Sequence, residues 1–323
     1  MRYKSVDERA EKIRGRVKLT DFLVVIQLFL RDNFFLERKL EFSDVKPRLL
    51  GHWGSCHGIN LVYNVFSETL GGYSGEKSFI LGPGHGFPAL NANLFLDKKL
   101  PEFPQGATRE NIPEFAKRFS WPGGYPSHSS PMTPGVVTEG GELGYALGAA
   151  YGQVLGHPER TVVVLLGDGE LETATALASM NLAKLIPSGE TNGKVIPVLH
   201  LNGYKISGPT IYGRKSQREI NQLIRGFGYE PIEVNGEDIE EFLEKSGAGI
   251  EKKNPFFLMR TEKGEGGPEF VGGKKVVGNY LAHQIPLPLA GSDEGQLGQL
   301  EEWLKSYEID FSKFGFSNTA EEK

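Results

Sequence analysis

The chain has a single cysteine, Cys56, in 323 residues. That excludes an internal disulfide framework and a cysteine-based structural zinc site, and it leads us to expect a reducing compartment, the cytoplasm by default. Long hydrophobic runs are also missing. The longest uncharged apolar stretch near the start, residues 22–30, is about half of the roughly 20 residues that a membrane-spanning helix needs. Asp7, Glu8 and Glu11 crowd the first residues, which does not suit a secretory signal peptide. There is no excess of positive charge: 36 Lys and Arg stand against 41 Asp and Glu, for a net charge of −5. Nucleic-acid binding through bulk charge is therefore not expected, although a local basic patch stays open. Despite 42 Gly and 19 Pro, there is no collagen period, low-complexity tract or internal repeat.

What is present is a regular alternation. Residues 17–38 carry apolar side chains at steps of three and four, which predicts a helix starting near Thr20 or Asp21. The polar residues before Glu11 are expected to be loose. From residue 78 onward, short β-branched runs at 78–81, 161–166, 195–201 and 256–259 each lead into Gly-rich or polar sequence. Runs of this kind predict strands buried on both faces. Helical stretches are expected at 141–155, 171–185, 216–226 and 239–245, with a terminal helix at 297–307. Strands alternating with helices give an α/β fold with a parallel sheet flanked by helices. Such sheets bind ligands beyond the carboxyl ends of their strands. His85, Asp168, Asn202 and Lys263 all follow predicted strands, so they are expected near one rim.

Gly167-Asp168-Gly169-Glu170 closes the second of these strands with a tight turn. Backbone amides there can hold an anion, and Asp168 offers a hard oxygen to Mg²⁺ or Ca²⁺. Asn202 comes 34 residues later, at the end of the next strand. A right-handed crossover would set the two strand ends side by side. The carbonyl of Tyr204 could complete the ligand set.

The Gly-Asp-Gly turn followed by Asn resembles the thiamine diphosphate motif of transketolase-like enzymes. Further blocks resemble phosphoketolases in particular: Arg48-Leu49-Leu50-Gly51-His52-Trp53-Gly54-Ser55, Gly82-Pro83-Gly84-His85-Gly86, Pro126-Ser127-His128, Glu139-Gly140-Gly141-Glu142-Leu143-Gly144-Tyr145, Leu199-His200-Leu201-Asn202-Gly203-Tyr204-Lys205 and Ala282-His283-Gln284-Ile285-Pro286. The resemblance runs from about residue 20 to 310. It implies the diphosphate-binding (PP-type) thiamine diphosphate fold over 17–312, with an extension at 1–16 and a tail at 313–323. It further implies cleavage of xylulose 5-phosphate or fructose 6-phosphate with inorganic phosphate, giving acetyl phosphate and an aldose phosphate.

By the same resemblance His52, His85, His128 and His283 line the substrate channel as acid–base or hydrogen-bonding groups. Gly141, Glu142, Gly167, Asp168, Gly169, Glu170, Asn202 and Lys205 lie at the coenzyme. Lys263 lies near the substrate phosphate, and Asp168, Asn202 and Tyr204 hold the metal. The simpler readings are a dipole-favoured acid at a helix start for Glu142 and a solvated loop lysine for Lys263. His200 could be a core residue, and His157 is expected to face solvent. His57 stands where the family usually has proline, and no role is assigned to it.

The glutamate that activates the coenzyme belongs, in this superfamily, to a pyrimidine-binding domain. The resemblance ends with the first domain, which implies either a split gene or a fragment. A separate pyrimidine-domain subunit in a two-plus-two assembly is the expected partner. Gly148-Ala149-Ala150 and Thr173-Ala174-Thr175 depart from the family pattern, which puts selectivity in question. Two alternatives stay open: two-carbon transfer to an aldose, as in a split transketolase, and a non-catalytic coenzyme-binding or scaffold protein.

Overall fold

The structure is a computed structural model that describes residues 5–133 and 136–313. The expected tail, from Phe314 on, lies outside the described residues. The first helix, α1 (Val6–Phe29), begins earlier and ends earlier than its apolar spacing predicts. Its start is set by a capping box: Ser5 Oγ accepts from the Glu8 amide, and the Glu8 carboxylate accepts from the Ser5 amide, both at 3.1 Å. Its end follows from the backbone, because Leu30 is extended and Asn33 and Leu36 take positive φ.

The order continues with α2 (Cys56–Leu70), β1 (Glu76–Leu81), α3 (Phe87–Leu96), α4 (Asn111–Arg118), α5 (Ala146–Val154), β2 (Arg160–Gly167), α6 (Ala174–Ser179), α7 (Leu182–Leu185) and β3 (Lys194–Leu201). Then come α8 (Gln217–Gly226), β4 (Glu230–Asn235), α9 (Ile239–Ile250), β5 (Pro255–Arg260), the hairpin of β6 (Phe270–Val271) and β7 (Lys274–Lys275), and α10 (Glu294–Ser306). Two expected helices are shorter than predicted. The 141–155 stretch turns helical only at Ala146, and 171–185 breaks into a 3-10 turn at Glu170–Glu172 followed by α6 and α7. The Thr173 side chain caps α6 and ends the preceding turn.

Five strands form one parallel sheet in the order β1-β2-β3-β5-β4. Side chains alternate across it. Val162, Val164 and Leu166 pack with Ala146, Tyr151, Ala176 and Ile220 on one face. Val163, Leu165, Ile196 and Val198 pack with α1, α2 and α3 on the other. Burial on both faces explains why the three central strands, β2, β3 and β5, read as continuous apolar runs, while the edge strand β1 is buried only toward its carboxyl end. The edge strand β4 is only partly buried and carries Glu230, Pro231 and Glu233, so it lacks that signal. Among the described residues no helix is long and apolar enough to cross a membrane.

Candidate active site

The register of β2 and β3 pairs Gly167 with His200, so Asp168 and Asn202 emerge side by side at the carboxyl edge of the sheet. A cavity of about 360 Å³ opens there. Segments following β1, β2, β3 and β5 line it, together with the start of α2 and the 140–143 loop. His52, His85, His128, His283, Gly141, Gly167, Asp168, Gly169, Glu170, Asn202, Tyr204, Lys205 and Lys263 all contribute to its wall. Ser55 and His200 do as well.

Asp168 is 3% exposed and held by three donors. The Gly169 amide reaches Oδ1 at 2.9 Å, while the Gly203 amide at 2.7 Å and Thr210 Oγ1 at 3.1 Å reach Oδ2. Burial raises its pKa, with the Gly203 amide and the Lys263 charge acting in opposition. Asn202 Oδ1 accepts from the Tyr204 amide at 3.2 Å, and its Nδ2 lies 3.5 Å from Ser55 Oγ.

Glu170 turns inward. Its two oxygens accept from the Gly144 and Gly167 amides, each at 3.2 Å. Burial pushes its pKa up to about 7, against the two amides. Glu170 thus ties the loop before α5 to the end of β2. The Lys205 ammonium is paired with the Glu172 carboxylate at the rim. Glu142 is exposed, does not line the cavity and precedes α5 by several residues. It is therefore not the helix-start acid considered above.

Lys263 is not a solvated loop lysine. It is 2% exposed, and its ammonium donates to Ser55 Oγ at 3.3 Å. Burial lowers its pKa to about 8, partly offset by Asp168.

The four channel histidines form one cluster. The His52 ring centroid lies 5.1 Å from those of His85 and His283 and 5.2 Å from that of His128, and His85 and His283 are 4.7 Å apart. Burial lowers the pKa of all four imidazoles. The pKa of His52 falls to about 4 and that of His283 to about 3, helped by the Lys263 charge, and those of His85 and His128 fall too. His52 Nδ1, His85 Nε2 and His283 Nδ1 are buried with no hydrogen-bond partner among the described residues, whereas His128 Nδ1 meets Ser127 Oγ at 3.1 Å.

Close approach of backbones shapes the wall. A Cβ on Gly84 would sit 2.0 Å from the Gly140 Cα, and one on Gly58 would sit 2.3 Å from the His200 ring. His200, in β3, bonds Thr261 Oγ1 through Nε2 at 2.6 Å and also faces the cavity. His157 is half-exposed beside Glu159. Ser55 and Thr210 were not singled out from the sequence. Ser55 sits inside a quoted motif, but nothing in the local sequence marks Thr210.

The XFP N-terminal domain family matches residues 4–251 and 244–314. The chain belongs to the phosphoketolase family. It is 38% identical over 324 residues to a probable phosphoketolase of Rhodopseudomonas palustris (strain BisB5), covering 93% of this chain and 41% of that protein. It is 39% identical over 325 residues to a probable phosphoketolase of Schizosaccharomyces pombe, covering 94% and 39%. This member of the family thus spans about two fifths of the length of the curated relatives it matches. Among solved structures, a transketolase variant from Pichia stipitis superposes with a TM-score of 0.64 at 18% identity, over 95% of this chain and 42% of that one. Transketolase from Leishmania mexicana gives 0.61 at 19%, over 96% and 46%. The fold is therefore the parallel-sheet, thiamine diphosphate-binding PP type that the sequence resemblance implies.

Proposed function

We propose that the chain is the thiamine diphosphate- and Mg²⁺-binding part of a phosphoketolase. On this reading it cleaves xylulose 5-phosphate or fructose 6-phosphate with inorganic phosphate to give acetyl phosphate and an aldose phosphate. The observation that carries the reading is the histidine cluster. Three buried imidazole nitrogens with no hydrogen-bond partner among the described residues line the same cavity as Asp168, Asn202 and a buried lysine. Buried polar atoms are normally paired, so this wall suits a ligand rich in hydroxyl and phosphate oxygens.

The donor set fits the cofactor. Asp168, the Asn202 amide and the Tyr204 carbonyl offer hard oxygens, and the described residues hold no group of three His, Cys, Asp or Glu arranged for a metal. Mg²⁺ commonly takes few protein ligands and completes its shell with phosphate oxygens. The close Gly84–Gly140 approach leaves no room for a side chain in that part of the wall.

Thiamine diphosphate, when bound, supplies the carbon nucleophile and electron sink that cleavage beside a carbonyl requires. The chain's own residues bind, orient and move protons. Asp168, Asn202 and the Tyr204 carbonyl hold the ion, and Gly141, Gly167 and Gly169 border the diphosphate. Glu170 fixes the surrounding loops, and Lys263 pairs with the ketose phosphate. Each neutral imidazole carries one donor and one acceptor nitrogen. His52 and His283 can take a hydroxyl proton at Nδ1 and His85 at Nε2, and each can return it to a leaving oxygen. The activating glutamate comes from a separate pyrimidine-domain subunit in a two-plus-two assembly.

The test is to purify the tagged chain from its own cells, identify co-purifying proteins by mass spectrometry, and assay acetyl phosphate as its hydroxamate. Phosphate-dependent acetyl phosphate from a ketose phosphate is expected. Product only when an aldose acceptor is added would make the complex a transketolase. A complex that binds coenzyme without turnover would make the chain a non-catalytic binder.

A further inference from the structure

A second charged cluster lies behind the cavity, and no step above uses it. His57, in the first turn of α2, places Nδ1 2.7 Å from Asp21 Oδ2 of α1. Its Nε2 lies 3.8 Å from Glu265 Oε1, in the loop after β5. Asp21 Oδ1 accepts from Asn60 Nδ2 at 2.6 Å, so the carboxylate is anchored on its far side. Glu265 follows Lys263 by two residues.

The 263–267 loop is otherwise held by neutral contacts. The Gly264 amide donates to the Gly54 carbonyl at 2.9 Å, Trp53 Nε1 to the Gly264 carbonyl at 3.1 Å, and Trp303 Nε1 to the Gly266 carbonyl at 2.6 Å. These fix the loop's backbone. His57 adds the side-chain grip.

We propose that His57 is a positioning residue: bridging Asp21 and Glu265, it clamps the 263–267 loop onto α2 and so sets Lys263 in the candidate site. Only the consequence for substrate phosphate rests on the function proposed above; the clamp stands on the geometry. Burial opposes the imidazole's charge, but Asp21 and then Glu265 outweigh it and raise the His57 pKa to about 9. Other ionisable groups in electrostatic reach of this cluster include His200, Cys56, Tyr307 and Glu237. None of these forms a hydrogen bond or ion pair with the imidazole. An imidazole placed between the Asp21 and Glu265 carboxylates holds both elements at once.

The test is competitive acetylation of the whole chain with acetic anhydride at pH 7.5, read lysine by lysine by peptide mass spectrometry. Lys46 is the internal control. It is buried elsewhere, donating to the Gln27, Ala116 and Phe119 carbonyls, so it reports global loosening. In the wild type both lysines should be slow. His57→Gln should speed Lys263 at least threefold and leave Lys46 protected. Glu265→Gln should do the same without altering the α1–α2 contact, and it carries the test if the His57 variant folds poorly. An unchanged Lys263 rate in both variants would overturn the proposal, as would Lys263 and Lys46 rising together. No coenzyme or sugar phosphate enters the experiment, so its failure is distinct from failure of the coenzyme assignment.

Discussion

Replacing Lys263 with methionine should make the chain more stable and its anion site weaker. The Lys263 ammonium is buried with Ser55 Oγ at 3.3 Å as its hydrogen-bond partner, and no carboxylate among the described residues forms an ion pair with it. Burial lowers its pKa from the usual 10.5 to about 8. At roughly 1.4 kcal/mol per tenfold change in proton affinity, holding the charge costs the fold about 3 kcal/mol. The sign follows from linkage. Below pH 8 the lysine is charged in both folded and unfolded chains, and the folded one bears the whole cost. Between 8 and 10.5 the unfolded chain binds more protons, so wild-type stability rises with pH and the cost fades. Methionine has similar volume and no charge. Urea unfolding should therefore give Lys263→Met a higher midpoint at pH 7 with an unchanged slope, and the advantage should shrink toward pH 10.5. Loss of a buried cation facing an anion costs on the order of 2–5 kcal/mol of binding, so the affinity for the ketose phosphate should fall at least about 30-fold. A variant less stable than wild type at pH 7 would refute the reasoning, because it would mean that the ammonium is well compensated in the folded chain.

Three further outcomes follow from other residues. His57 behaves in the opposite sense to Lys263: its folded pKa is raised to about 9, so its stabilisation is complete below about pH 6.5 and is lost as pH rises through 9. The stability gap between wild type and His57→Gln should close over that window in urea titrations at stepped pH. Gly58→Ala would place a methyl 2.3 Å from the His200 ring, and overpacking of this kind should cost about 1–3 kcal/mol and shift the His200 ring resonances. Lys46→Met would leave the Gln27, Ala116 and Phe119 carbonyls without their shared donor. Thermal unfolding should show a loss of about 3 kcal/mol or more.

How much of this was legible in the sequence depended on burial. The central strands announced themselves as apolar runs because both faces are covered. The Gly-Asp-Gly and Asn-Gly turns at their ends placed Asp168 and Asn202 together. The edge strand β4 escaped because Pro231 and two glutamates interrupt it and one side meets solvent. The start of α1 was misjudged because its first turns are polar, although Ser5 and Glu8 form a readable capping box.

For the site, gathering four histidines from residues 52, 85, 128 and 283 needed the family resemblance, since no local spacing links such distant loops. What stayed hidden was side-chain direction. The inward turn of Glu170, the pairing of Lys205 with Glu172, the burial of Lys263 and the placing of His57 between Asp21 and Glu265 are all tertiary. Each depends on how separate segments meet, and no propensity or spacing in a single segment encodes that.

The measurement that tests the central claim most directly is calorimetric titration of the chain with inorganic diphosphate, with and without Mg²⁺, in wild type and Asp168→Ala. Diphosphate is preferred to the whole coenzyme because, on the proposed reading, the coenzyme's pyrimidine half rests on another subunit. Saturable binding that requires Mg²⁺ and disappears in Asp168→Ala is predicted. Binding that ignores Mg²⁺, or that survives the loss of Asp168, would contradict the assignment of the strand-end cavity as the metal–diphosphate site.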